Sequence, residues 1–192
     1  PGGAVRISGP FLKAFDGKMG LAVGKDGVGI PVSGLLGETG TIIFTFMDKG
    51  VKPENSLAAR FLFTLRGNGR ESVFFYGLPG SEDLFFAFKL YPDTNSLKSL
   101  RPIERDRWYQ AACTWDGSTV RFFLDGILQG EMQQPYAPTF PETSKLYFGP
   151  FIDGAIDPAP WGENSYLIKG FQLYARALPP QNFMALAGVT AP

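Results

Sequence analysis

Apolar residues recur at every second position in many short segments of the chain, and glycine and proline separate these segments. In residues 120–124, for example, Val120, Phe122 and Leu124 would point one way from an extended strand and Arg121 the other. A repeat of two is typical of β-strands, whereas a helix repeats its apolar positions about every 3.6 residues. The pattern predicts an all-β protein in which two packed antiparallel sheets enclose a core rich in phenylalanine.

About eleven segments fit this strand pattern. One segment, LPPQNFMALAG at residues 178–188, predicts a short helix, because Pro179 and Pro180 suit a first turn and Gly188 suits an end. The predicted strands are AVRIS, LAVG, TIIFTFMD, RFLFTLRG, SVFFYGL, LFFAFKLY, WYQAACTW, TVRFFLD, ILQGEM, KLYFG and LIKGFQLYAR.

Two Asp-Gly pairs, Asp116-Gly117 and Asp125-Gly126, lie between the predicted strands of residues 108–131. Asp-Gly favours type I′ hairpin turns, because both central residues of that turn have positive φ. We expect a loop of about three or four residues at the first pair and of about two at the second. The segment would then form a three-stranded meander in which both aspartates turn the chain and have no catalytic role.

The meander also resembles the signature of laminin-G-like modules, W-hydrophobic-A-x-T-aromatic-D-G followed by Y-V-D-G. Two further segments, residues 16–48 and 168–186, are similar to the opening and the end of that family, so the resemblance spans nearly the whole chain. The matching positions of the signature are Trp108, Ala112, Thr114, Trp115, Asp116, Gly117, Phe123, Leu124, Asp125 and Gly126.

The resemblance implies the fold of the concanavalin A-like lectin/glucanase superfamily, a two-sheet antiparallel jelly-roll sandwich with one short C-terminal helix. It implies about eleven to thirteen strands, in one laminin-G-like domain over residues 1–192. Gly170 departs from the family, which has an acidic residue there that could bear a structural or metal-binding role. The chain begins at PGGAVRISG, so we expect a piece excised from a longer protein.

The composition argues against several classes of function. The chain has no histidine and a single cysteine, Cys113, which excludes Ser-His-Asp and Cys-His catalysis, histidine-based zinc sites and an internal disulfide. Eighteen basic and eighteen acidic residues give zero net charge, so we expect no nucleic acid as a partner. No apolar run reaches the roughly 20 residues that span a bilayer, so we expect no membrane insertion.

Glu104 and Asp106 form the acidic pair with the spacing of a catalytic pair on a strand. Retaining glycan hydrolysis needs two carboxylates about 5 Å apart. No third acid follows this pair, however, and the segment RPIERDRW is charged and loop-like. We interpret it as a solvated approach to the next strand and expect no catalytic residue, as we expect Cys113 to be a buried core thiol.

The segment FIDGAIDPAPWGENSY is the longest irregular part of the chain and is rich in aromatic residues. Sugars stack on planar rings, and polar side chains orient them. Trp161 and Tyr166, with Asn164 between them and Tyr136 from the preceding loop, are therefore a predicted carbohydrate platform. The alternative is that these aromatic residues anchor the proline-rich loops to the sandwich.

A second candidate surface is the outward face of the predicted strands. Lys89 and Tyr91 share one strand, and Arg121 and Phe123 share another. The sequence leaves open whether these two strands are neighbours.

A calcium site is the candidate cofactor site, because laminin-G-like modules sometimes bind calcium at one rim. Asp153 and Asp157 offer oxygen ligands four residues apart in a loop, which suits a structural Ca²⁺ ion. The alternative is that Asp153-Gly154 and Asp157-Pro158 only form turns.

These observations favour a non-catalytic module that binds a carbohydrate or an adjacent protein domain. The resemblance implies that it belongs to a secreted or cell-surface protein, bacterial in origin, and is extracellular, periplasmic or on the cell surface. Two alternatives stay open. One is a glycan hydrolase or polysaccharide lyase of the same fold, and the other is a structural spacer that packs on a neighbouring catalytic domain.

Overall fold

The computed structural model describes residues 5–6, 12–15, 18–23, 28–32, 36–48, 60–66, 72–77, 86–90, 96–135, 137–138, 140, 144–148 and 166–184. These residues form fourteen strands and one helix. The elements are β1 Val5–Arg6, β2 Leu12–Phe15, β3 Lys18–Val23, β4 Val28–Pro31, β5 Thr39–Asp48, β6 Arg60–Arg66, β7 Ser72–Gly77, β8 Phe86–Leu90, β9 Leu97–Lys98, β10 Trp108–Asp116, β11 Thr119–Leu124, β12 Ile127–Gln133, β13 Lys145–Phe148, β14 Tyr166–Tyr174 and α1 Pro180–Met184.

The strands form two antiparallel sheets, which confirms the predicted all-β jelly-roll sandwich. The eight-stranded sheet has the order β12-β11-β10-β5-β14-β3-β2, with β1 paired to β14, and the six-stranded sheet has the order β4-β13-β6-β7-β8-β9. Strands β2 and β9 were not predicted from the alternation of residues. Strand β4 lies within residues 16–48, the segment that resembles the opening of the family.

The core lies between the sheets and follows the predicted alternation. Phe44 is fully buried on the inner face of β5. It contacts Phe63 of the opposite sheet edge-on at a ring distance of 5.0 Å, and Phe171 in a stacked arrangement at 5.8 Å. Cys113 is also fully buried, as predicted. Its burial raises the pKa of the thiol well above the usual range, so the thiol stays protonated and acts as a small apolar group.

The outer face of the eight-stranded sheet is covered in its middle by the C-terminal segment. The ring of Phe183 lies 4.6 Å from that of Phe123, and Leu178 joins the same cluster. The Thr41 hydroxyl donates to the carbonyl of Arg176 at 2.8 Å and accepts from the N–H of Leu178 at 2.8 Å. The sequence-based placement of Phe123 on an open ligand surface is therefore wrong, because a segment distant in the chain packs on it.

The two Asp-Gly pairs form different turns. Asp125 and Gly126 have φ of 49° and 76°, and Leu124 pairs with Ile127, so the predicted two-residue turn of type I′ character is confirmed. The first loop is shorter than predicted. Asp116 pairs with Thr119 as the last residue of β10, which leaves a two-residue loop of Gly117 and Ser118.

The backbone conformation explains why this chain has Gly170 where the family has an acidic residue. The pairing of β14 with β5 shifts between Lys169 and Gln172, and Gly170 lies in this bulge with φ of 63°. A positive φ favours glycine over a residue with a Cβ atom. The bulge lets both Ile168 and Phe171 face the core.

Candidate functional site

The eight-stranded sheet has two ends that differ in chemistry. We call one the Arg107 end, which comprises Asp48, the turn at residues 104–107, Trp108, the Asp125-Gly126 turn and Tyr166. Strand pairing brings these elements together, because Trp108 pairs with Met47 and Tyr166 pairs with Asp48. The backbone N–H of Asp106 also donates to the Asp48 carbonyl at 2.8 Å.

Arg107 is the centre of a charged cluster at this end. One terminal nitrogen of its guanidinium lies 3.3 Å from Oε1 of Glu104, and the other lies 3.2 Å from Oδ2 of Asp125. The guanidinium carbon also lies 4.6 Å from the centre of the Tyr109 ring. Partial burial lowers the pKa of Arg107, but Tyr109, Asp125 and Glu104 outweigh this and raise the pKa above its ordinary value. Arg107 therefore carries a fixed positive charge at the edge of the sheet.

Asp125 ties its turn to the start of β10. Its Oδ1 accepts from the backbone N–H of Gln110 at 2.8 Å, and its own N–H donates to the Gln110 carbonyl at 2.7 Å. The predicted role as a turn former is confirmed. The additional contacts with Gln110 and Arg107 were not predicted, because the residues that Asp125 bonds lie fifteen and eighteen positions away in the chain.

Glu104 and Asp106 lie in an exposed turn before β10, as the sequence predicted. The Glu104 carboxylate is 72% exposed and paired with Arg107, and the Glu104 N–H donates to the Tyr109 hydroxyl at 2.9 Å. Asp106 has φ of 60°, which shapes the turn. The contacts of Glu104 orient the turn, and this geometry does not favour an acid pair placed across a sugar.

The predicted carbohydrate platform is only partly described. Tyr166 is the first residue of β14, at the Arg107 end. The segment that flanks Tyr136 follows β12 at the opposite end, where the Gln134 N–H donates to the Ser118 carbonyl at 2.7 Å. Strand β10 runs from one end to the other, and its nine residues span about 27 Å. The predicted residues that lie outside the described ones are Tyr136, Trp161, Asn164, Tyr91, Asp153 and Asp157.

The residues of the second candidate surface lie in two different sheets. Arg121 lies on the outer face of β11, half-exposed, with its Nε 2.6 Å from Oε2 of Glu131. Lys89 lies in β8, where it pairs with Phe74 in the six-stranded sheet. Strands β8 and β11 are not neighbours, so Lys89 and Arg121 do not extend one continuous strand surface.

No described helix is long and apolar enough to cross a membrane. Within the described ranges, no group of three or more acidic, cysteine or histidine side chains could hold a metal ion. Because Asp153 and Asp157 lie outside those ranges, calcium binding at these two residues stays a prediction.

A laminin G sequence profile, described as "Concanavalin A-like lectin/glucanases superfamily", matches residues 49–182. The chain belongs to this laminin G family. A comparison with curated protein sequences finds no match.

Solved structures show the same laminin-G-like fold at low sequence identity. Domain 4 of AbnA, an extracellular arabinanase of Geobacillus stearothermophilus in complex with arabinotriose, has a TM-score of 0.62 at 16% identity, over 97% of this chain and 88% of that one. The heptameric SAP-like pentraxin of Limulus polyphemus has a TM-score of 0.64 at 12% identity, over 84% and 75%. The ligand-binding domain of Botulinum neurotoxin serotype D, in complex with N-acetylneuraminic acid, has a TM-score of 0.65 at 13% identity, over 97% and 46%.

The laminin G signature of this chain marks structural positions. Trp115 is fully buried in the core, and its indole N–H donates to the Gly37 carbonyl at 2.9 Å. Asp125 and Gly126 form the β11–β12 turn. At these positions the signature serves packing and turn geometry, so the signature identifies the fold.

Proposed function

We propose that the chain is a non-catalytic carbohydrate-binding module of a secreted or cell-surface bacterial protein, and that it binds a glycan at the Arg107 end. The observation that carries this proposal is the similarity of nearly the whole chain to an arabinanase domain in complex with arabinotriose. At 16% identity the similarity shows the fold alone. The choice of end therefore rests on this chain's own residues.

Aromatic and polar residues favour the Arg107 end. Trp108 is half-buried at the start of β10, and Tyr166 begins β14 two strands away. In the sequence, Asn164 and Trp161 precede Tyr166 by two and five positions. An aromatic ring that stacks on a sugar, with amides and charged groups that orient its hydroxyls, is the usual composition of such a site.

The test is a glycan array with the 192-residue chain, followed by titration calorimetry with each oligosaccharide that binds. Arabinotriose and N-acetylneuraminic acid are the first two probes. We expect Trp161→Ala to weaken binding at least about tenfold, because stacking and apolar burial at one ring contribute about 1–3 kcal/mol. Arg176→Ala, exposed just after β14 at the opposite end of the same sheet, is the control and should leave the affinity unchanged.

If the wild type and Trp161→Ala bind a verified oligosaccharide with equal affinity, the proposed platform at the Arg107 end is wrong. If no glycan binds to the chain, the proposed function is wrong. Release of reducing sugar ends from a bound polysaccharide, with loss of this release in Glu104→Gln, would instead establish the enzymatic alternative.

A further inference from the structure

The loop that connects β9 to β10, residues 99–107, is bonded to the eight-stranded sheet through three of its backbone N–H groups. The Leu100 N–H donates to Oε1 of Gln129 in β12 at 2.9 Å. The N–H groups of Glu104 and Asp106 donate to a tyrosine hydroxyl of β10 at 2.9 Å and to a backbone carbonyl of β5 at 2.8 Å. The backbone of the β9–β10 loop is therefore held against the sheet at the Arg107 end.

Two buried side chains hold the same loop from the inside. Ser99 is fully buried, and Ile103 is 4% exposed and belongs to the core cluster. The side chains of Arg101 and Arg105, which follow these two residues by two positions each, are exposed. A loop that is already ordered loses little conformational entropy when it binds a ligand. The two arginines are thus presented to solvent on an ordered backbone.

The charges of Arg101 and Arg105 are not neutralised within the described part of the chain, where neither forms an ion pair. Two acidic residues lie in the same loop, but the Glu104 carboxylate binds Arg107 and Asp106 pairs with neither of the two exposed arginines. The chain as a whole has zero net charge, so only local charge can attract an acidic ligand. The β9–β10 loop provides such a charge.

We propose that the β9–β10 loop makes the module selective for an acidic polysaccharide, whose carboxylate or sulfate groups pair with Arg101 and Arg105. This inference rests on the glycan binding proposed above for the Arg107 end and names the class of glycan. A guanidinium group binds a carboxylate or a similar oxyanion through two parallel hydrogen bonds. The Cα atoms of residues four positions apart lie within about 14 Å of each other, so one oligosaccharide of a few sugars reaches both arginines.

Other anionic ligands fit the same loop less well. Nucleic acid binding obtains most of its affinity from many phosphate contacts, whereas the loop offers two unpaired arginines. An acidic peptide has the required charge but makes no use of rings that stack on sugars. Trp108, which directly follows the loop, is half-buried and lies at the end where the glycan is proposed to bind. The position of the loop therefore favours an acidic glycan.

The test is titration calorimetry with the 192-residue chain and two pairs of oligosaccharides. One pair is oligogalacturonate, which carries carboxylates, and its uncharged methyl ester. The other is a carrageenan oligosaccharide, which carries sulfates, and its desulfated form. We expect at least one acidic member to bind about tenfold more tightly than its uncharged counterpart, with a difference that shrinks at high sodium chloride. The preferred pair identifies the acidic group.

The variants Arg101→Ala and Arg105→Ala should each weaken binding of the preferred acidic oligosaccharide about threefold, and the double variant about tenfold. Their affinity for the uncharged counterpart should not change. Arg176→Ala is the matched control, because it removes an exposed arginine at the opposite end of the same sheet, and it should bind as the wild type does. All three arginines are exposed, so we expect the variants to fold.

Equal affinity of the wild type and the double variant for the acidic oligosaccharide would overturn the inference. Equal affinity of the wild type for acidic and uncharged oligosaccharides would also overturn it but leave the proposed glycan binding intact. If the chain bound no glycan at all, both proposals would be wrong. Tighter binding of poly-L-glutamate than of either acidic oligosaccharide, lost in the double variant, would show that the loop binds an acidic peptide instead.

Discussion

The two ends of the eight-stranded sheet are held together by different kinds of interaction. At the end we call the Trp115 end, the indole of Trp115 is fully buried and lies over Gly40 of the neighbouring strand. Phe140 packs on the same ring at a centroid distance of 5.7 Å. This end is closed by apolar packing around one large side chain.

The Arg107 end is held by charges and hydrogen bonds instead. Arg107 bridges Glu104 and Asp125, and the side chains of Arg107 and Glu104 are 51% and 72% exposed. Exposed ion pairs contribute little stability, about 0–1 kcal/mol each. The comparison indicates that apolar packing stabilises the Trp115 end, whereas the ion pairs of the Arg107 end, where we propose that a glycan binds, add little stability.

The largest expected effect is at the Trp115 end. A Cβ atom at Gly40 would lie 2.1 Å from Cζ2 of Trp115, in the rigid ring of a fully buried side chain. We expect Gly40→Ala to lower the free energy of unfolding by about 3 kcal/mol, because the ring has to move and the core with it. Chemical denaturation monitored by tryptophan fluorescence measures this.

Gly37→Ala is the control, since nothing lies within 4 Å of a Cβ atom at Gly37 and its φ is not positive. Its stability should stay within about 0.5 kcal/mol of the wild type. Equal stability of the two variants would contradict the tight contact between Gly40 and Trp115.

A smaller effect is expected at the Arg107 end. Asp125→Ala removes the acceptor of the Gln110 N–H and places alanine at a φ of 49°. We expect a loss of about 2 kcal/mol from the free energy of unfolding. Urea denaturation is the measurement, and Asp125→Asn should recover part of the loss because asparagine tolerates positive φ and keeps an acceptor oxygen.

The other Asp-Gly pair supplies the comparison. Asp116 is exposed at the end of β10 with an extended backbone, so Asp116→Ala should change stability by less than about 0.5 kcal/mol. If both alanine variants lost the same amount, the distinction between a turn residue and a strand residue would be wrong.

The smallest effect concerns Arg107 itself. Arg107→Met keeps an apolar stem near Tyr109 but removes the contacts with Glu104 and Asp125. We expect a loss of about 0.5–1 kcal/mol at low ionic strength, which shrinks at high salt because exposed ion pairs are screened. Thermal unfolding at low and high sodium chloride measures the difference. A loss above about 3 kcal/mol that salt does not change would contradict the view that the ion pairs of Arg107 add little stability.

The alternation of apolar and polar residues was enough to assign the faces of several strands. At Val120, Phe122 and Leu124 it places these residues in the core, as found. It did not place the cover over Phe123, because the covering residue, Phe183, is sixty positions away and belongs to a one-turn helix. The adjacent apolar residues Phe122 and Phe123 indicate a strand covered on both faces, as found, but they do not identify the segment that covers the outer face.

The candidate site was predictable to a smaller extent. Tyr166 was chosen as an aromatic residue in a loop and lies at the start of a strand, whereas Arg107 was not singled out at all. The signal for Arg107 was only its position before the Trp108 strand. Arg107 is important because the hairpin of β10 and β11 brings Oδ2 of Asp125 to 3.2 Å from its guanidinium.

The sequence by itself determined the all-β class, the meander of β10 to β12 and the Asp125-Gly126 turn, because alternation and turn chemistry act between residues close in the chain. The tertiary structure alone decided that β5 pairs with both β10 and β14, which are distant from it in the chain and from each other. That pairing places Gly40 beneath Trp115 at one end and Tyr166 beside Asp48 at the other. Which end is closed by apolar packing and which is held by exposed charges depends on these non-local contacts.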